Sequence, residues 1–124
     1  MYPKVSVDTK KLLENVKTVY ELCDRHHIQI TAVTKMFGGD PRLAQVFLDG
    51  GVKILGDSRI QNLERMENLK AEKWLLRIPM PSEAVNVVRY ADVSLNSELE
   101  TVRVLQAEAK KQHKVHKIIL MADL

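Results

Sequence analysis

The chain has 124 residues, 45% hydrophobic and 28% charged, with five glycines and four prolines; this composition suits one globular domain or part of a larger one and excludes a fibrous or disordered chain. No apolar run nears the roughly 18 residues that span a bilayer, the amino terminus MYPKVSVDTKK lacks a signal-peptide core, and a lone cysteine, Cys23, fits a reducing compartment, so a cytoplasmic location is expected. The net charge of +3 is dispersed, and the one basic cluster, Lys110-Lys111-Gln112-His113-Lys114, has no aromatic residues interleaved, which argues against nucleic acid as a partner.

Met1 to Val7 reads as a short strand or an extended arm. Asp8 or Thr9 can cap the helix that follows, in which Leu12, Leu13, Val16, Val19, Tyr20 and Cys23 recur at helical spacing. Cys23 lies on the apolar face and reads as a buried structural thiol. His26-His27 closes the helix; adjacent histidines face different directions, so they and His113 and His116 read as solvated helix ends rather than metal ligands.

Ile28 to Thr34, IQITAVT, is a buried strand, and Lys35 stands at its exit before a Gly38-Gly39 turn. Lys53, Lys73 and Lys117 stand instead at or before the start of apolar runs, where a cation is solvated. In a strand–helix repeat protein the exit is the carboxyl end of the sheet, where such folds build active sites. An ammonium in apolar surroundings there has a lowered pKa and becomes a nucleophile or base. The alternative is a strand-end lysine that reaches out to water.

Asp40-Pro41 opens a helix with Leu43, Ala44, Phe47 and Leu48 inside, ended by Gly50-Gly51. Val52 to Leu55 is a second strand running into Gly56-Asp57-Ser58-Arg59. Ser58 with Gln61 makes a capping box for a helix through Ile60, Leu63, Met66 and Leu69. Trp74 to Ile78 is a third strand with Arg77 inside it, stopped by Pro79 and Pro81, and a helix from Ser82 carries Ala84, Val85 and Val88. Asp92 to Leu95 is a fourth strand, followed by Asn96 and a Ser97–Glu100 capping box for a helix through Leu99, Val102, Leu105 and Ala109. Val115 to Ala122 is a fifth strand, closing on Asp123-Leu124.

One unit thus repeats every 20 to 25 residues or so: apolar strand, polar exit, capped helix. Continuous apolar strands mean an α/β protein with a parallel sheet covered by helices. A closed (β/α)8 barrel and an open doubly wound sheet both satisfy this; the lack of a glycine-rich phosphate loop after the first strand favours the barrel. Five strands do not close a barrel of eight, so residues 1–124 are expected to be the amino-terminal part of a longer barrel, truncated after the fifth strand.

The strand exits gather Lys35, then Asp57, Ser58 and Arg59, then Arg77, then Asn96 and Ser97, then Asp123. An amine, acids, guanidinium groups and an amide on one rim suit a small anionic or zwitterionic ligand; the alternative reading assigns Ser58, Ser97 and Asp57 to helix capping. There is no paired-cysteine or His-Glu-x-x-His spacing for a metal.

A strand reading AVTK with lysine at its exit, followed by ILGDSRIQN, LLRIPMPSE, SLNSELET and KIILMADL, resembles the barrel domain of the alanine racemase family, closest to its ornithine-racemase-like amino-acid racemases. The resemblance covers essentially the whole chain. It implies a pyridoxal-phosphate-dependent racemase acting on a small amino acid, working as a homodimer. Lys35 would form the internal aldimine with pyridoxal phosphate and act as base at Cα, with Asp57, Arg77 and Asn96 near the cofactor. The phosphate-binding loops and the opposing tyrosine of this family lie beyond residue 124. One local departure is Gly39, where alanine racemases usually carry a tyrosine that touches the phosphate. The alternatives are a non-catalytic pyridoxal-phosphate carrier of the same barrel class, whose usual Gly-Glu-Asn-Arg run is matched only at its ends by Gly56 and Arg59, or an inactive half-barrel.

Overall fold

Caps decide where the helices begin. The computed structural model describes residues 2–122. Residues 2–7 are exposed and form no strand. The Asp8 carboxylate accepts from the Lys10 and Lys11 amides and starts helix α1 (Thr9–Arg25). Val16 is its buried residue; Cys23 is only half-buried, and Val19 and Leu22 are exposed.

Strand β1 (Thr31–Val33) is shorter than its apolar run. At one end the Ile28 amide folds back onto the Cys23 carbonyl, closing α1. At the other, Thr34 takes up a helical backbone and begins a 3-10 turn, Lys35–Phe37. Helix α2 (Pro41–Asp49) follows, capped by Asp40 with proline in its first turn.

Strand β2 (Ile54–Asp57) is buried throughout and leads to helix α3 (Ile60–Arg65). Strand β3 (Glu72–Leu75) pairs with β2 from Ile54↔Glu72 to Asp57↔Leu75. It therefore begins two residues before the run that was expected, and Arg77 lies beyond it rather than inside. A 3-10 turn, Pro81–Glu83, precedes helix α4 (Ala84–Tyr90). Strand β4 (Val93–Asn96), helix α5 (Leu99–Lys111) and strand β5 (Lys117–Leu120) complete the described chain. Neither serine capping box forms: α3 and α5 each start one residue later than those boxes need, so Arg59 and Glu98 occupy the cap positions without side-chain bonds.

All four strand pairings are parallel, and the order is β1-β2-β3-β4-β5. A doubly wound sheet must reverse its order at a switch point; this one does not. Right-handed crossovers in unbroken sequence put the helices on one side of the sheet, as in the first part of a (β/α)8 barrel. Leu55 and Leu75 meet Ile60, Leu63, Met66, Ala84, Val87 and Val88 there, in the core. The other face carries the registered row Val33, Gly56, Trp74 and Val93. Gly56 is required on that row: a Cβ would stand 2.7 Å from Leu76 and 2.9 Å from the Thr31 methyl.

One lysine departs from expectation, and Lys117, exposed as expected, still finds a partner. Lys73 is buried inside β3, with its amine donating to the carbonyls of Leu69 (2.8 Å) and Ala71 (3.3 Å); burial lowers its pKa, against the pull of Asp92 and Glu67. Lys117 donates to Glu72, which also accepts from the Trp74 indole at 2.6 Å.

Candidate functional site

The carboxyl ends of β1 and β2 carry the chemistry. Lys35, at the start of the 3-10 turn, lines an open cleft of about 420 Å³ with Gly38, Ser58, Arg59 and Asn62. Its side chain is exposed, not enclosed by apolar groups, because the turn lifts it off the sheet as soon as β1 ends.

What fixes this cleft is Asp57. Its side chain is fully buried and lies on the helix-facing side of β2. One carboxyl oxygen accepts from the Thr34 hydroxyl at 2.7 Å, the residue just before Lys35. The other accepts from the Arg59 amide at 2.9 Å and the Asn62 side-chain amide at 3.0 Å. One side chain thus ties the exit of β1 to the exit of β2. The turn after Lys35 is held from outside as well, by Arg65, which donates to the Gly38 carbonyl at 2.7 Å. Gly38 and Gly39 both have φ near +60°, and a Cβ on Gly39 would stand 2.8 Å from the Asn62 carbonyl oxygen. No side chain fits at position 39, which gives the departure noted in the sequence its physical reason.

The other expected residues lie apart from the cleft. The Arg77 guanidinium makes a two-pronged pair with Glu83, at 2.8 and 2.6 Å, and donates to the carbonyls of Ser58 (2.8 Å) and Ile78 (3.2 Å). That pairing raises the Arg77 pKa and lowers that of Glu83. Asn96 is fully buried on β4, donating to the carbonyl and hydroxyl of Ser94, while its Oδ1 has no partner among the described residues. Ser94 Oγ lies 2.8 Å from His116 Nε2, and His116 Nδ1 lies 3.1 Å from the Ala91 carbonyl. His116 is half-buried rather than solvated as the sequence suggested. Asp123 lies outside the described residues, and Ser97 is exposed. Among the described residues no cluster has the makings of a metal site, and no helix is long and apolar enough to cross a membrane.

Sequence comparison decides the family. The model of the alanine racemase N-terminal domain matches residues 7–124. The chain belongs to that family. It is 41% identical, over its whole length, to ornithine racemase of Acetoanaerobium sticklandii, and 36% identical to lysine racemase of Thermotoga maritima. It spans about a third of the length of these curated relatives, 35% and 36% respectively. The fold matches PipY of Synechococcus elongatus, in a structure without PLP, with a TM-score of 0.71 over 88% of this chain and 54% of that one, at 16% identity.

Proposed function

We propose that this chain is the amino-terminal part of a pyridoxal-phosphate-dependent racemase of basic amino acids, with Lys35 as the residue that holds the cofactor and then moves the proton at Cα. The observation that carries this reading is the Lys35 amine at the carboxyl end of β1, exposed and without a partner among the described residues. It is supported by 41% and 36% identity to racemases of ornithine and lysine over the whole chain. The residues present fit the cofactor, because an accessible amine in a cleft that Arg59 also lines suits an aldehyde that bears an anionic group. When bound, pyridoxal phosphate stabilises negative charge developing at Cα.

Lys35 supplies the amine for attachment and the base for Cα. Asp57, through Thr34 on one side and Asn62 on the other, holds the Lys35 turn against α3. Arg77 is engaged by Glu83 and by the Ser58 and Ile78 carbonyls, and Asn96 is fully buried with its amide nitrogen on Ser94, so we assign both to holding the rim rather than to contact with the cofactor. Assembly as a homodimer belongs to the same proposal, as does a longer barrel that continues beyond residue 124.

The test is incubation with pyridoxal phosphate, borohydride reduction and mass mapping of the peptides, with Lys35→Ala alongside. The expected result is a cofactor mass on Lys35 that the variant lacks. Solvent-deuterium exchange at Cα of ornithine or lysine then separates a racemase from a carrier. Attachment spread evenly over exposed lysines would overturn the reading.

A further inference from the structure

The cations around the cleft are not equivalent. Arg65 is engaged by the Gly38 carbonyl, and Arg77 by Glu83 and the Ser58 carbonyl. Arg59 has no side-chain hydrogen bond or ion pair among the described residues, yet its backbone is fixed, since its amide donates to the buried Asp57 carboxyl at 2.9 Å. Its Cα is thus held at the cleft wall while its guanidinium stays free. Among the described residues Lys35, which lines the same cleft, is likewise unpartnered, and no carboxylate lines the space: Asp57 is buried with both oxygens engaged. Two free cations at a cleft without an acid repel one another, and binding an anion between them relieves this.

We propose that Arg59 and Lys35 form an anion-binding pair, in which Arg59 seats an oxyanion group, phosphate or carboxylate, of the molecule whose carbonyl meets the Lys35 amine. This deepens the reading of the Lys35 cleft given above and rests on it only for the identity of the ligand. The planar fork of arginine matches either oxyanion through two parallel N–H bonds, which lysine cannot reproduce.

Reductive labelling with three aldehydes tests the pair: pyridoxal phosphate, glyoxylate and uncharged glycolaldehyde. Each condenses with a lysine amine, releasing water, and hydride from borohydride fixes the product as a secondary amine. The readout is labelling of Lys35 relative to exposed Lys10 on α1. We expect the anionic aldehydes to favour Lys35 by about tenfold over glycolaldehyde, the scale of one charge-assisted contact, and added salt to erode the preference. Arg59→Gln should abolish it, and Arg59→Lys should keep part. Loss confined to pyridoxal phosphate identifies phosphate as the group held; loss confined to glyoxylate identifies carboxylate; loss of both identifies a shared seat. An undiminished preference in Arg59→Gln, or none in the unaltered protein, overturns the pair. A preference for glyoxylate without one for pyridoxal phosphate would instead remove the cofactor reading and leave the anion pair standing.

Discussion

The two sides of the rim use the same kinds of residue to opposite ends. At the exits of β1 and β2 the Asp57 and Thr34 side chains that fix the backbone are buried, and the cations Lys35 and Arg59 have no partner among the described residues. At the exits of β3 and β4 the cation is the group engaged: Arg77 closes on Glu83, and Asn96 turns inward to Ser94. A strand exit becomes a site when its anchoring is done from below by neutral and acidic groups, which leaves the basic ones free.

The largest effect should come from Asp57, the anchor of the open side. Asp57→Ala removes the acceptor for the Thr34 hydroxyl, the Arg59 amide and the Asn62 amide, in a site with no access to water. We expect a loss of about 3 kcal/mol. Asn96→Ala is equally buried but should cost far less, because Asn96 already carries an unpartnered Oδ1 and the substitution removes it. Urea midpoints of the two variants make the comparison. A cost for Asn96→Ala equal to that of Asp57→Ala would mean that the two sides are anchored alike.

Gly39→Ala comes next, at about 2 kcal/mol, from a positive φ combined with a contact against the Asn62 backbone that cannot yield. It acts only on the open side, so it should also slow attachment of an aldehyde to Lys35. Gly50→Ala, at the carboxyl end of α2, is the control: its Cβ would clash with the Val16 side chain of α1, so it strains the fold without touching the Lys35 turn. If both variants label Lys35 at the unaltered rate, the turn does not position the lysine.

Much of the fold was legible because it is written locally. Asp8 and Asp40 accept from amides two or three residues away, Pro41 fixes its own backbone in the first turn of α2, and the strand–helix repeat follows from apolar spacing. Lys35 was legible from its position after an apolar run. What stayed hidden depends on distant partners. Glu72 and Lys73 look too polar to open a strand, yet Lys117, 45 residues on, and the Leu69 and Ala71 carbonyls accommodate them. Asp57 read as a cap or a ligand because its main partner, Thr34, lies 23 residues back. Arg59 was only one of several rim charges; its freedom is a statement about what Arg65 and Arg77 do elsewhere, which no periodicity contains.

The closed side offers a smaller test. Glu83→Gln exchanges a charged pair for a neutral contact and leaves Arg77 its bonds to Ser58 and Ile78, so the expected cost at neutral pH is about 1 kcal/mol. Hydrogen bonds from Arg77 hold the Glu83 carboxyl below its ordinary value of 4.5. Its contribution is therefore complete above that value and is lost as pH falls through the lower, folded pKa. The difference in stability between the unaltered protein and the variant should shrink as pH falls below 4.5; a constant difference would show that the pair is held by shape alone.

The smallest effect expected belongs to His116, which ends the Asn96–Ser94 chain on the closed side. Ser94 can accept from Asn96 and donate to Nε2, and Nδ1–H then donates to the Ala91 carbonyl, so the arrangement requires the neutral ring. Burial lowers its pKa from the ordinary 6.5, opposed by the Ala91 carbonyl and Asp92 and assisted by Lys114. With the folded pKa below the unfolded one, the unfolded chain binds the proton first. The stability is present above 6.5 and declines as pH falls from there towards the folded pKa. Melting temperatures between pH 8 and pH 5 should drop more for the unaltered protein than for His116→Gln, whose amide can keep both contacts without titrating. Parallel curves would show that Ser94 reorients its hydroxyl at no cost, and that the closed side tolerates a charge as readily as the open one.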